Sequence, residues 1–113
     1  MDQETAHYIM RYFSSFMTDK ESKAWKHWST SFKMGENPKP VRIKLSLERG
    51  WLTEDPEILS LLKDGYDQFE LNTAKRILDE NGDSVFLNSC PNCGRLTRTP
   101  IAKQCRHCGN DWH

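Results

Sequence analysis

Cys90-Pro91-Asn92-Cys93-Gly94 and Cys105-Arg106-His107-Cys108-Gly109 hold every cysteine of this 113-residue chain, with eleven residues (Gly94–Gln104) between the pairs. Two C-x-x-C pairs at that spacing bring four thiolates to the corners of one tetrahedron, the arrangement Zn²⁺ favours in closed structural sites. A glycine follows the second cysteine of each pair. A backbone that wraps an ion turns through positive φ there, which glycine adopts without a Cβ clash. Disulfides are the competing reading, and they require an oxidising compartment. A redox dithiol needs a single C-x-x-C in a βαβ setting, and no such setting is visible. Cys90, Cys93, Cys105 and Cys108 are therefore expected to hold one Zn²⁺ per chain. Iron accepts the same four sulfurs.

Phe86–His113 resembles a zinc ribbon of the rubredoxin-like kind, in which two knuckles sit on short β-hairpins around one metal. The whole chain, and most clearly its ending Thr99-Pro100-Ile101-Ala102-Lys103-Gln104-Cys105-Arg106-His107-Cys108-Gly109-Asn110-Asp111-Trp112-His113, is also similar to uncharacterised small bacterial zinc-ribbon proteins. The first resemblance implies metal binding; the second implies no activity. Helices followed by a ribbon also resemble the layout of rubrerythrins. Their di-iron bundle needs two Glu-x-x-His motifs and two further glutamates. This chain offers one such motif, Glu4-Thr5-Ala6-His7.

Upstream of the knuckles the pattern is helical. Ala6, Ile9, Met10, Phe13, Phe16 and Met17 recur at three- and four-residue spacing and predict one apolar face. Thr18-Asp19-Lys20-Glu21 matches a capping box. It predicts a second helix burying Ala24, Trp25, Trp28 and Phe32 and ending at Gly35 and Asn37-Pro38-Lys39-Pro40. Val41, Ile43, Leu45 and Leu47 alternate like a strand, but no hairpin partner adjoins them, and Leu45–Gly50 reads as a helix with a glycine cap. The reading over 41–49 leans to helix. Asp55-Pro56-Glu57 starts a further helix, and Tyr66, Phe69, Ala74, Ile77 and Leu78 mark another that stops near Asn81-Gly82. Val85-Phe86-Leu87 is a candidate strand, as are Leu96–Arg98 and Ile101–Lys103. The predicted fold is mainly α, with a helical domain over residues 1–83 and a small β zinc ribbon over 84–113.

Lys and Arg balance Asp and Glu at 16 each, but unevenly along the chain. Residues 38–50 carry Lys39, Arg42, Lys44 and Arg49 against Glu48, a net of +3. Residues 51–89 carry nine acids against Lys63, Lys75 and Arg76, a net of −6. From Cys90 onward Arg95, Arg98, Lys103 and Arg106 oppose Asp111, again +3. A Zn²⁺ with four thiolates carries −2, which cuts that excess to about +1. A solvated charged face is the commoner meaning of such runs. No stretch approaches the ~18 apolar residues of a membrane span. The acidic Met1-Asp2-Gln3-Glu4 start lacks an apolar export segment. The expectation is a cytoplasmic protein.

No nucleophile–base pair, phosphate-binding glycine loop or H-E-x-x-H motif occurs, so no enzyme is expected. Trp25, Trp28 and Phe32 read as core, and Trp112 as a ring covering the thiolate site. His107 is a surface or contact residue, since four thiolates already complete the coordination. The function expected is a zinc-binding module that contacts nucleic acid through Arg95, Arg98, Lys103 and Arg106, with Asn92, Thr97 and His107 as polar partners. A protein-interaction adaptor is the alternative, motivated by the acidic stretch and the aromatic helices. A rubredoxin-like iron electron carrier is the third.

Overall fold

Asp2 sets the start of helix α1 (Gln3–Tyr12): its carboxylate accepts the Thr5 N–H at 2.8 Å, one of the donors a helix start leaves unpaired. The computed structural model describes all residues, Met1–His113. Ala6, Ile9 and Met10 are buried, as their spacing predicts. The helix stops at Phe13, and a 3-10 turn takes over at Ser14–Phe16. The apolar period runs on beyond the helix, but Phe13, Phe16 and Met17 are only half-buried.

Helix α2 (Asp19–Met34) opens with the predicted capping box: the Glu21 N–H donates to Thr18 Oγ1 at 3.1 Å, and the Thr18 N–H to Glu21 Oε1 at 2.8 Å. Its expected apolar face is only partly covered. Ala24 is buried, Trp25 and Trp28 are half-buried, and Phe32 stays 73% exposed, lying against Trp28 with ring centroids 5.3 Å apart. Tyr66 also stacks on Trp28, with ring centroids 3.8 Å apart. Residues 41–48 are helical: α3 (Pro40–Glu48) has proline in its first turn, where the missing N–H has no intrahelical partner anyway. Asp55 caps α4 (Pro56–Ser60) by accepting the Glu57 N–H at 2.9 Å. Helix α5 (Tyr66–Asn81) passes into a 3-10 turn at Gly82–Ser84.

The chain forms two compact units. One comprises Met17–Phe69, with α2, α3, α4 and the first residues of α5; here α2 and α4 pack together over Ala24 and Ile58. The other comprises Met1–Phe16 with Glu70–His113. It buries Ile9, Met10, Ala74 and Ile77, and it contains both cysteine knuckles.

The molecule is mainly helical, and the strands expected of the β ribbon are absent. Val85–Leu87 is not a strand, and the knuckle segments are joined by two isolated antiparallel bridges, Ser89↔Leu96 and Gln104↔Asp111. Side chains occupy the backbone groups a ladder would pair. The Tyr8 hydroxyl donates to Phe86 O at 2.7 Å, and Asn88 Nδ2 donates to Thr99 O at 3.0 Å and Ala102 O at 2.8 Å. No helix is long and apolar enough to cross a membrane.

Candidate metal centre

The two knuckles are built alike, fifteen residues apart. In the first, the Cys90 N–H donates to Arg95 O at 2.8 Å and the Gly94 N–H to Cys90 O at 2.9 Å. In the second, the Cys105 N–H donates to Asn110 O at 2.8 Å and the Gly109 N–H to Cys105 O at 3.1 Å. Gly94 and Gly109 close these turns at φ 77° and 78°, the left-handed conformation predicted from their place in the sequence. Each turn then aims backbone N–H groups at the sulfur of its first cysteine. Asn92 and Cys93 donate to Cys90 Sγ at 3.4 Å, and His107 and Cys108 donate to Cys105 Sγ at 3.3 and 3.4 Å.

The knuckles bring the four sulfurs together. Cys90 Sγ lies 3.6 Å from Cys108 Sγ, Cys93 Sγ lies 3.6 Å from Cys105 Sγ, and all four fall within 4.8 Å of one another. They are free thiols, far beyond the ~2.05 Å of a disulfide. Four thiolates about 2.3 Å from one ion at tetrahedral corners stand about 3.8 Å apart. The observed cluster fits that figure, so these four cysteines are positioned to hold a metal ion. Cys90 and Cys105 are buried, whereas Cys93 and Cys108 reach the surface.

Hydrogen bonding prepares half of the set for ionisation. Burial opposes charge on Cys90, but the N–H groups of Cys93 and Asn92 and the Cys108 thiol outweigh it and draw the group down to about 6. Cys105 is lowered chiefly by the Cys108 N–H, against burial, with help from His107. Cys93 is helped by the Arg95 N–H, but burial and the neighbouring sulfurs of Cys105, Cys108 and Cys90 push it up to about 11. Sulfurs this close do not all ionise together without a cation among them. A bound cation supplies the charge that lets the remaining thiols release their protons.

The other residues singled out in the sequence take up varied places. Arg95, Arg98 and Lys103 are exposed. Arg106 is exposed too, but its guanidinium donates to Glu4 Oε1 at 2.6 Å. Glu4 is held below the usual carboxylate range by that hydrogen bond, and His107 Nε2 lies 3.6 Å from the same oxygen. His7, the other half of the Glu-x-x-His motif, faces the buried Glu70 at 3.4 Å. Thr97 is buried, with its hydroxyl between Asn88 O (2.8 Å) and Thr99 O (2.9 Å), so it serves the turn and is not displayed to a partner. Asn92 Nδ2 lies 3.7 Å from Cys108 Sγ, beside the four sulfurs. Trp112 is half-buried, and its N–H donates to Lys103 O at 2.9 Å.

Sequence reasoning missed Tyr8 and Asn88. Tyr8 ties α1 to the tail by donating to Phe86 O and by accepting the Asn88 N–H at 3.3 Å. Tyr8 shares the α1 register with the buried Ile9, and nothing in the sequence names a partner 78 residues away. Compared with known proteins, the chain matches no family model, no curated protein and no solved structure.

Proposed function

We propose that the chain is a zinc-binding module whose four-thiolate centre is structural and holds residues 84–113 as a rubredoxin-like ribbon, displaying a basic surface to nucleic acid. The observation that carries the metal reading is the mutual approach of the four sulfurs within 4.8 Å, with backbone donors trained on the buried pair. Zinc suits a closed set of four thiolates with no open position for substrate. The tail lacks a ladder and has few apolar residues of its own, so metal binding would supply its folding energy.

Arg95, Arg98 and Lys103 make no ion pair within the fold and are the side chains expected to reach phosphates, and Arg106 joins them from its pair with Glu4. Binding of short DNA and RNA oligomers, followed at several salt concentrations, tests this surface. Replacing Arg95, Arg98 and Lys103 together with alanine should weaken binding evenly across sequences. Every phosphate that goes unneutralised lowers the slope of log affinity against log salt by roughly 0.7 to 0.9. Absence of salt-dependent binding at low ionic strength would remove the nucleic-acid reading. The adaptor reading is favoured instead by Ile101 and Phe86, which hold 87% and 59% of their surface exposed in the same unit. Partners retained after nuclease treatment would support it.

A further inference from the structure

Within the unit Met17–Phe69, α2 and α3 enclose a groove of about 460 Å³ whose charged lining is entirely cationic: Lys26 and Lys33 from α2, Arg42 and Arg49 from α3 and its end. No acidic residue lines it. The volume falls within the ~300–1,000 Å³ of small-molecule sites. The two cations of each pair stand seven positions apart in sequence, about two helical turns or 10 Å.

None of the four makes an ion pair or a side-chain hydrogen bond. Lys20 pairs with Glu57, Lys23 with Asp19, Arg76 with Glu80 and Arg106 with Glu4, whereas Arg95, Arg98 and Lys103 stand unpaired like the groove cations. What marks the groove is the convergence of four cations on one space that no acid lines. Four like charges facing one groove repel one another, and a bound anion removes that repulsion.

The groove also has an aromatic end. Trp51 is 40% exposed, with Arg49 Cζ 5.0 Å and Lys26 Nζ 5.8 Å from its ring centroid. Its backbone is fixed: the Trp51 and Leu52 N–H groups both donate to the carbonyl of Ser46, at 2.9 and 3.2 Å. Those bonds set the Trp51 backbone at the end of α3, and its ring lies within reach of Lys26 and Arg49. At the other end of the groove, α2 finishes at Met34 and α3 begins at Pro40, so Lys33 and Arg42 lie where the two helices are joined.

We propose that this groove binds a nucleotide unit, with phosphate on Lys33 and Arg42 and the base against the Trp51 ring, flanked by Lys26 and Arg49. The ligand is a nucleoside phosphate, either free or one residue of a single strand. Cations that track phosphate beside a stacking ring are the general means of holding single-stranded nucleic acid. The site does not depend on the tail surface proposed above, since it shares no residue with it.

The test uses the full chain with its metal, labelled octauridine for direct binding, and adenosine monophosphate and inorganic phosphate as competitors. Lys33→Ala with Arg42→Ala should weaken octauridine binding at least about tenfold and reduce the log–log salt slope by about 0.7, the share of the one phosphate they hold. Trp51→Ala should weaken it by about 5- to 150-fold, and Trp51→Phe should recover most of that loss. The substituted residues are exposed, and unchanged far-UV dichroism verifies that each variant folds. Photocrosslinking of a bromouracil octamer to the unmodified chain needs no variant, and the adduct should map to the peptide carrying Trp51.

Adenosine monophosphate competing as well as the octamer identifies the free nucleotide as ligand; a much tighter octamer identifies the strand. Either result supports the site. The proposal is overturned if neither ligand binds at low ionic strength, or if the crosslink maps to residues 95–106. It is equally overturned if binding survives the groove variants and is lost only with Arg95→Ala, Arg98→Ala and Lys103→Ala, the outcome that upholds the tail surface. Loss in the groove variants alone upholds the groove and removes the tail reading. Inorganic phosphate competing as well as the nucleotide, with Trp51→Ala silent, overturns the assignment of a base.

Discussion

The two units of this chain reach order by different means. Met17–Phe69 is a helical unit of familiar chemistry: capped helix starts, a small apolar centre at Ala24, Ile58 and Phe69, and an aromatic stack of Trp28 on Tyr66. The unit made from both chain ends buries Ile9, Met10 and Ile77, but its last 30 residues have hardly any apolar core. They are held by polar ties (Tyr8 to Phe86, Asn88 to Thr99 and Ala102) and by four sulfurs poised around one point. Local sequence signals shape the first unit, and long-range side-chain contacts with metal-ligand chemistry shape the second.

The largest separation between the units should come from Cys90→Ser. Loss of one thiolate removes the closed site, and structural zinc in zinc-finger peptides contributes an apparent ~10–16 kcal/mol. Hydrogen exchange should show residues 85–113 losing protection, with the loss reaching α1 through Tyr8 and Glu4, while α2 and α4 keep theirs. Equal loss of protection in both units would break the distinction.

Acid should act on the same unit more gently. Cys90 ionises at about 6 in the fold against an ordinary value of 9.0, so its folded value is depressed. The stabilisation it gives is complete above about 9 and is lost as pH falls through about 6. A bound cation draws the thiolates lower still, so metal retention should hold at about pH 6 and decline only in more acid solution. Loss of metal already at neutral pH would show that the N–H groups around the sulfurs do not favour the thiolates.

Tyr8→Phe probes the polar ties alone. It removes the hydroxyl shared by Phe86 O and the buried Asn88 N–H, and leaving that N–H unpaired should destabilise the first helix and tail by about 1–3 kcal/mol. Metal stoichiometry should hold. Thr18→Ala is the smallest change and belongs to the other unit: loss of the capping box should lower stability by about 1 kcal/mol, seen in thermal unfolding, without touching metal content.

The contrast also explains what was legible in the sequence. Thr18 with Glu21, and Asp55-Pro56-Glu57, announce helix starts because capping is decided within four residues. The alternation Val41, Ile43, Leu45, Leu47 imitates a strand, yet Pro40 and the absence of a pairing partner favour α3, where Val41 and Leu45 end up exposed. Phe32 reads as core because its spacing matches Trp28; spacing fixes the helix face, not whether a neighbour arrives to cover it. The cysteine cluster was legible because C-x-x-C-Gly is a local geometry. Short apolar runs suggest ribbon strands, but side chains from Tyr8 and Asn88 take the groups a ladder needs. Such contacts, across as many as 102 residues for Arg106 with Glu4, leave no trace in local pattern.

The account stands on four thiolates sharing one ion, and the most direct measurement is elemental analysis of the purified chain beside titration of its free thiols. It predicts one metal per chain, principally zinc, with the four thiols becoming titratable only when a chelator removes the metal. A metal-free chain with an ordered tail and four readily titrated thiols would contradict it.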